Sequence, residues 1–347
     1  MSNRNLTSVG ESWETLEVAK RNHLASALKN ISLKQALTWM GRNSALAALI
    51  IAFLLGSIFL PTFLTRLNLS AILYQYAIIG FLALGQLLVI LTAGIDLSQG
   101  AQVALTSIVT AYLMSAYGVP AAVVGGLAAG TAIGVTNGLL VSRTKMPPFV
   151  VTLGMMGVAR GLAQVVSDAK PIGIPMGPFV DFGRSNLGGI PVSALIWLGT
   201  GFLLTYFLKH RRLGRHIYAV GGGEESARLS GVDIRNVKLF VYAMCGFLTA
   251  VGGIIWTARL SSGSPIGGVG YEMESIAAVI IGGGSLFGGL GTVLGTMVGV
   301  LLLGVINSIL NLFGISPYWQ GTIKGVLILL AVALSQLGRF KRSRKKQ

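Results

Sequence analysis

The chain has 347 residues, of which 53% are hydrophobic and 11% charged, with a mean hydropathy of +0.73 and a formal net charge of +16. That apolar share excludes a soluble globular domain and marks an integral membrane protein. Of the 27 Lys and Arg, 21 fall in segments that read as cytoplasmic, the positive-inside bias of a multi-span protein, so the charge does not describe a nucleic-acid-binding face.

Residues 1–44 are polar, with acids at Glu11, Glu14 and Glu17 and six basic residues, and are expected to form a cytoplasmic N-terminal segment. No short apolar core with a small-residue cleavage site opens them, so no secretory signal is expected. Ile31 to Trp39 reads as an amphipathic helix lying on the membrane. Apolar runs follow at 45–63, 71–93, 98–116, 120–141, 147–166, 193–208, 238–259, 271–287, 291–312 and 319–337. Each is near the ~20 residues that cross a bilayer. The expected fold is all-α and polytopic, with a transmembrane domain over 45–337 of about ten helices. Both termini, the link holding Arg143 and Lys145, and the basic tail 338–347 are expected in the cytoplasm.

Asp96, in GIDLS after the second run, stands at a short turn where capping the next helix is its expected role. Arg160 lies in the fifth run, where a charge costs roughly 2.5–3.5 kcal/mol on insertion scales. Two readings stand for it: snorkelling to the external boundary, or pairing with Glu272 or Glu274 at the start of the eighth run. The long external segment 167–192 holds four prolines and five glycines, which argue against a regular element. It reads as either a docking surface or a passive connection. Cys245, the one cysteine, lies in an apolar run, excludes an internal disulfide and is expected to be ordinary packing.

The polar island at 209–238 holds seven Lys and Arg, two of the three His and three acids between two apolar runs. Gly221, Gly222 and Gly223 read as a flexible entry to a short helix. Glu224 and Glu225 favour its first turn, Ala227, Arg228 and Leu229 continue it, and Gly231 is placed to stop it. A short exposed helix between spans is a shape that another protein can grip, and a solvated loop that only sets topology is the other reading.

A faint internal repeat accompanies these runs. Phe81, Leu82 and Gly85 are echoed by Phe247, Leu248 and Gly252, and the ladder Gly126, Gly130, Gly134, Gly138 by Gly291, Gly295, Gly299. The offsets pair the second to fifth runs with the seventh to tenth. Units of odd span number take opposite orientations, an inverted repeat of the kind found in transporters. The ladders themselves fit close helix packing. No phosphate-binding loop, metal-ligand spacing, catalytic nucleophile or chain of intramembrane acids is present. No enzyme activity and no cofactor are expected, and any energy for transport must come from another chain.

Taken together, GIDLSQG at 94–100, FVVTLGMMGVARG at 149–161, LGRHIYAVGGGEESARLSGV at 213–232, GYEMESIAAVIIGGGSLFGGLGTVLGT at 270–296 and LNLFGISPYWQGTIKGVLILLAV at 310–332 resemble the permease subunits of ribose-type sugar ABC importers. Two departures stand out, Gln99 in place of the usual Val and Gly223 where Asn commonly precedes the glutamate. The resemblance implies a bacterial inner-membrane permease working with a cytoplasmic ATP-binding subunit, a periplasmic sugar-binding protein and a second permease copy, simplest as a homodimer. It also implies that Glu224 to Gly231 is a coupling helix seated in the ATPase. Arg215, Gly222, Glu224, Glu225, Ala227, Arg228, Leu229 and Gly231 are the candidates for that contact. A monosaccharide needs hydrogen-bonding groups along its path, for which Tyr74, Gln75, Gln86, Asn137, Gln164, Asn307 and Gln320 are the candidates within spans. Each of these side chains could instead join neighbouring helices. Permeases for branched-chain amino acids or nucleosides, and a carrier working alone, are the competing expectations.

Overall fold

The computed structural model describes residues 44–144, 146–316, 318–326 and 329. The amphipathic stretch expected at 31–39, Lys145, most of the tenth expected span and the basic tail lie outside the described residues. The chain divides into two compact units, Met1–Ala47 and Ala48–Gln347, and the second holds nearly all that is described.

Helices dominate in the order α1 (Ser44–Phe59), α2 (Arg66–Leu91), α3 (Gln99–Arg143), α4 (Pro148–Ser167), α5 (Pro178–Arg184), α6 (Val192–His210), α7 (Arg212–Gly222), α8 (Glu224–Leu229), α9 (Ile234–Leu260), α10 (Tyr271–Ile281) and α11 (Val293–Leu312). Helical residues resume at 318–326. Among the described residues, α2, α3, α4, α6, α9 and α11 are long and apolar enough to cross a membrane.

Local signals explain the boundaries. Side chains of Thr65, Asp233 and Thr292 cap α2, α9 and α11 by accepting from the N–H three residues on. Inside α3, Gly118 adopts φ 80°, ψ −173°, two residues before Pro120. The two halves of α3 then fold back on each other, since side chains at Gly125, Gly126 and Gly130 would meet Leu113, Thr110 and Thr106. The third and fourth expected spans are thus one hairpin of helix.

Two expectations are corrected. The run 271–287 is not a full span, because α10 has only 11 residues before a glycine-rich segment. Gly283, Gly288 and Gly289 there take φ of +91°, +84° and +72°, which L side chains resist. Nor is 167–192 free of regular elements. It holds α5, a strand β1 (Ile172–Gly173) and the paired strands β2 (Asn186–Leu187) and β3 (Ile190–Pro191). β1 pairs antiparallel with β4 (Ser262–Gly263), tying this segment to the end of α9.

The core is built on α2, whose residues from Tyr76 to Leu91 are all buried. Bulk meets smallness around it: the Trp197 indole of α6 lies on Gly80, and Gly304 of α11 meets Ile72 and Tyr76. The ladder Gly126, Gly130, Gly134, Gly138 runs along α9, facing Ile254, Ala250, Gly246 with Tyr242, and Leu239 in turn. Gly295 and Gly299 face the C-terminal end of α10 at Gly282 and Ala278. Between helices in lipid, where apolar surface gains little by being covered, this close approach is the main source of adhesion.

Candidate functional site

Two regions gather the polar chemistry. The first is the island. α7 buries Gly214, Ile217 and Val220 along one face and leaves Arg212 and Arg215 outside. Gly221 and Gly222 are its last turn rather than a flexible entry, and only Gly223 breaks the helix before α8. The last turn of α8 closes through Val232 N–H to Ala227 O (3.0 Å) and Gly231 N–H to Arg228 O (2.9 Å), with Gly231 at φ +81°. This six-to-one and five-to-two pair is the Schellman stop.

Of the α8 side chains only Ala227 is buried, while Glu224, Glu225 and Arg228 stand exposed and Leu229 is 81% exposed. Arg228 donates to both oxygens of Glu225 at 2.7 Å, which raises its guanidinium above the ordinary arginine value. Lys238 Nζ, on the first turns of α9, reaches Glu224 at 2.7 Å. The Arg228–Glu225 pair is exposed on both sides and adds little stability, while the Lys238–Glu224 pair, with its lysine largely covered, ties α8 to α9. The result is a short, rigid, charged helix with one projecting leucine.

The second region lies where α2 and α3 are joined by the non-helical stretch 92–98. Asp96 is fully buried and accepts from Ser98 N–H (2.8 Å), Ser98 Oγ (2.5 Å), Gln102 Nε2 (3.4 Å) and Cys245 Sγ (3.7 Å). It fixes the N–H of the α3 cap residue Ser98 and not a first-turn N–H. Next to it, Gln99 donates through Nε2 to Leu82 O (2.8 Å), Cys245 Sγ (3.3 Å) and Thr249 Oγ1 (3.3 Å), and accepts from Ser275 Oγ at 2.6 Å. One amide therefore joins α2, α3, α9 and α10.

The expected path residues separate into groups. Gln86 and Asn137 belong to this hub. The Gln86 amide, oriented to suit its neighbours, donates to Asp96 O and Gln99 Oε1 and accepts from Asp96 N–H, each at 3.2 Å. Asn137 Nδ2 donates to Ser98 Oγ at 3.0 Å. Gln75 and Asn307 line a separate polar cavity of about 90 Å³ with Asn68, Arg259 and Asn311. Gln320 donates to Asn311 Oδ1 (2.8 Å) and Ile315 O (2.9 Å). Tyr74 is committed to carbonyls of Arg184 and Ser185, and Gln164 stands exposed on α4 apart from the others.

The Arg160 guanidinium makes no hydrogen bond to either glutamate, although its charge acts on that of Glu272 at longer range. It donates to the carbonyls of Pro265 and Gly267, both at 2.9 Å. Glu274 is held by Lys324 at 2.6 Å, and the Glu272 carboxylate lies against Gly100. Both carbonyls lie in the irregular segment before α10, whose first turn bonds instead to Gly268 O and Gly270 O. Cys245, expected as plain packing, is a member of the polar hub. Reasoning from sequence gave Cys245 the wrong role and passed over Thr249 and Ser275, and the signal that would have drawn attention to them is small polar groups at matched depth in two apolar runs.

A family profile described as the permease component of branched-chain amino acid transport systems matches residues 68–332. The chain is 43% identical over 300 residues to the ribose import permease protein RbsC of Escherichia coli K12, covering 85% of this chain and 93% of that protein. It is 39% identical over 304 residues to the D-allose transport system permease protein AlsC of the same organism, covering 87% and 93%. It is 34% identical over 306 residues to the L-arabinose ABC transporter permease protein AraH of Azospirillum brasilense, covering 87% and 90%. No solved structure matches.

Proposed function

The chain belongs to this family of transport-system permease components, and from that membership we infer that it forms the membrane path of an ABC importer for a monosaccharide. It is a subunit of the bacterial inner membrane, is not itself an enzyme, and works with an ATP-binding subunit and a substrate-binding protein. The observation that carries the sugar reading is similarity to ribose, allose and arabinose permeases across more than four-fifths of the chain. The family description names branched-chain amino acids, but the relatives named above move sugars.

Finer features belong to the same proposal. The core holds two identical permease copies, each with both termini in the cytoplasm and about ten spans, one of them the broken span made by α10 and the irregular segments beside it. Reciprocal contacts support the inverted repeat within each copy: Gly85 of α2 lies on Cys245 of α9, while Gly252 of α9 lies on Ile78 and Leu82 of α2. Likewise Gly138 meets Leu239 and Gly304 meets Ile72 and Tyr76. The division into a cytoplasmic segment at 1–44, a permease domain at 45–337 and a tail at 338–347 goes with this topology. α8 is the ATPase contact, presented by Glu224, Glu225, Arg228 and Leu229, shaped by Gly222, Ala227 and Gly231, and flanked by Arg215. Gln75 and Asn307 remain path candidates. Gln86, Asn137 and Asp96 instead hold the hub in shape, and Arg160, Glu272 and Glu274 brace the N-terminal end of α10.

The test uses liposomes holding the chain with its ATPase and sugar-binding protein. With Glu224→Lys and Arg228→Glu combined, sugar-stimulated ATP hydrolysis and ATPase binding are expected to fall together while the permease stays folded. Intact stimulation in that variant would sink the assignment of α8. Stimulation by leucine and not by any pentose or hexose would sink the sugar reading.

A further inference from the structure

A contact one helix away from α8 has no part in the assignment so far. The last turn of α7 is pressed against both non-helical breaks of the core. A side chain at Gly221 would run into the Leu91 carbonyl and the Gly289 N–H. The Gly289 N–H donates to Leu91 O at 3.0 Å, so the carbonyl at the end of α2 is satisfied by the 282–292 break. A side chain at Gly288 would meet Gly221 O and Ala93, and one at Gly289 would meet the backbone of Gly222. Three chain segments thus meet backbone to backbone, with no side chain between them. One turn earlier on the same face of α7, Tyr218 Oη donates to Gly291 O at 2.9 Å. Burial pushes the Tyr218 phenol above its usual value, so it keeps the proton that this bond needs at working pH.

Both breaks lead from this knot to the hub. The 92–98 stretch runs from Ala93 to Asp96 and Gln99, and the 282–292 stretch is continuous with α10, whose Ser275 donates to Gln99. The contacts form a closed ring: α7, Leu91 and Ala93, Asp96 to Gln99, Ser275, α10, Gly288 to Gly291, and back to α7. A ring without slack moves as a unit, and backbone atoms in contact cannot absorb a push by changing rotamer. Helical stretches on either side are stiff, whereas the breaks can change shape through a few backbone angles.

We propose that α7 is the transmission element of this permease: Gly221 and Tyr218 are positioning residues through which displacement of α8 shifts the 92–98 and 282–292 breaks together. This rests on the reading of α8 as the ATPase contact. The ring places the moving parts at the two breaks, with the hub at Gln99 as their far anchor. It also gives Gly221 a role that glycine alone can fill, since any β-carbon would part α7 from Leu91 and Gly289.

The experiment compares wild type, Tyr218→Phe and Gly221→Ala in liposomes with the ATPase and sugar-binding protein, reading ATPase binding, ATP hydrolysis and sugar delivered per ATP. Tyr218→Phe keeps the ring packing and loses only the bond to Gly291 O. ATPase binding and ATP turnover are expected to stay within about two-fold, while sugar per ATP falls about five-fold, the factor one hydrogen bond of ordinary strength carries. Gly221→Ala is expected to lower sugar per ATP at least as far. If Gly221→Ala does not fold, Tyr218→Phe decides alone. Unchanged sugar per ATP in the folded variants overturns the proposal and leaves the knot as packing. A parallel fall in ATPase binding also overturns it, because α7 would then be docking surface. Failure of the α8 reading is seen separately, in a Glu224→Lys, Arg228→Glu variant that still binds the ATPase.

Discussion

Asp96 and Gln99 sit three residues apart and are equally buried, yet their environments differ in what a substitution would strand. Asp96 is surrounded by donors: an N–H, two side-chain O–H or N–H groups and a thiol. Replacing one carboxylate oxygen by an amide NH₂ in Asp96→Asn turns a donor toward donors in a place water does not reach. Most groups that Gln99 bridges have other partners, since Ser275 Oγ also donates to Glu272 O at 2.8 Å, Cys245 Sγ to Asp96, and the Leu82 carbonyl lies within a helix, which leaves Thr249 Oγ1 as the one stranded group. A group that keeps a second partner loses less than one left wholly unmet, which costs about 1–3 kcal/mol. Asp96→Asn is therefore expected to lower the thermal stability of the detergent-solubilised chain by that amount, and Gln99→Val by roughly half as much. A thermal-shift series in which Gln99→Val is the more damaging change would contradict this account of the hub.

Glycine at helical spacing means different things on different helices, and the sequence does not say which. Gly134 and Gly246 face each other backbone to backbone between α3 and α9, whereas nothing lies near the β-carbon positions of Gly154, Gly157 and Gly161 on α4. Gly134→Ala or Gly246→Ala is expected to destabilise by about 1–3 kcal/mol, the cost of forcing packed backbones apart. Gly157→Ala should be neutral or stabilising by up to about 1 kcal/mol, from helix propensity alone. Equal melting temperatures for the two kinds of variant would refute the packing argument. Element existence was legible for a plain reason: long apolar runs and an island of charge are local properties. What escaped is pairing at a distance. Ser275 and Gln99 meet across 176 positions, and Arg160 chose carbonyls, which every residue has and no sequence marks. The turn from Gly283 to Gly291 was hidden by its own composition, since an apolar run rich in glycine scores as a span whether or not it coils.

Across the whole molecule, the island and the 167–192 segment lie at opposite ends of α9. Lys238 holds Glu224 near its start, while Arg184 donates to Arg259 O (3.1 Å) and Ser261 Oγ (2.7 Å) at its finish. Its 27 residues span about 40 Å, more than the hydrocarbon core. A membrane-impermeant maleimide should therefore label Ser230→Cys only from the cytoplasmic side and Asn186→Cys only from outside. The buried Cys245 leaves little background. Labelling of both from one side would overturn the proposed topology. The 11-residue α10 carries a further consequence, for how the chain is made. At about 16 Å it covers half a bilayer, and the glycine-rich stretch after it has backbone groups that lipid cannot satisfy. During synthesis this region cannot be handed to the membrane alone. Its seat is formed some two hundred residues earlier, at the end of α2, so insertion of the permease is expected to finish with residues 271–292 settling against helices already in place.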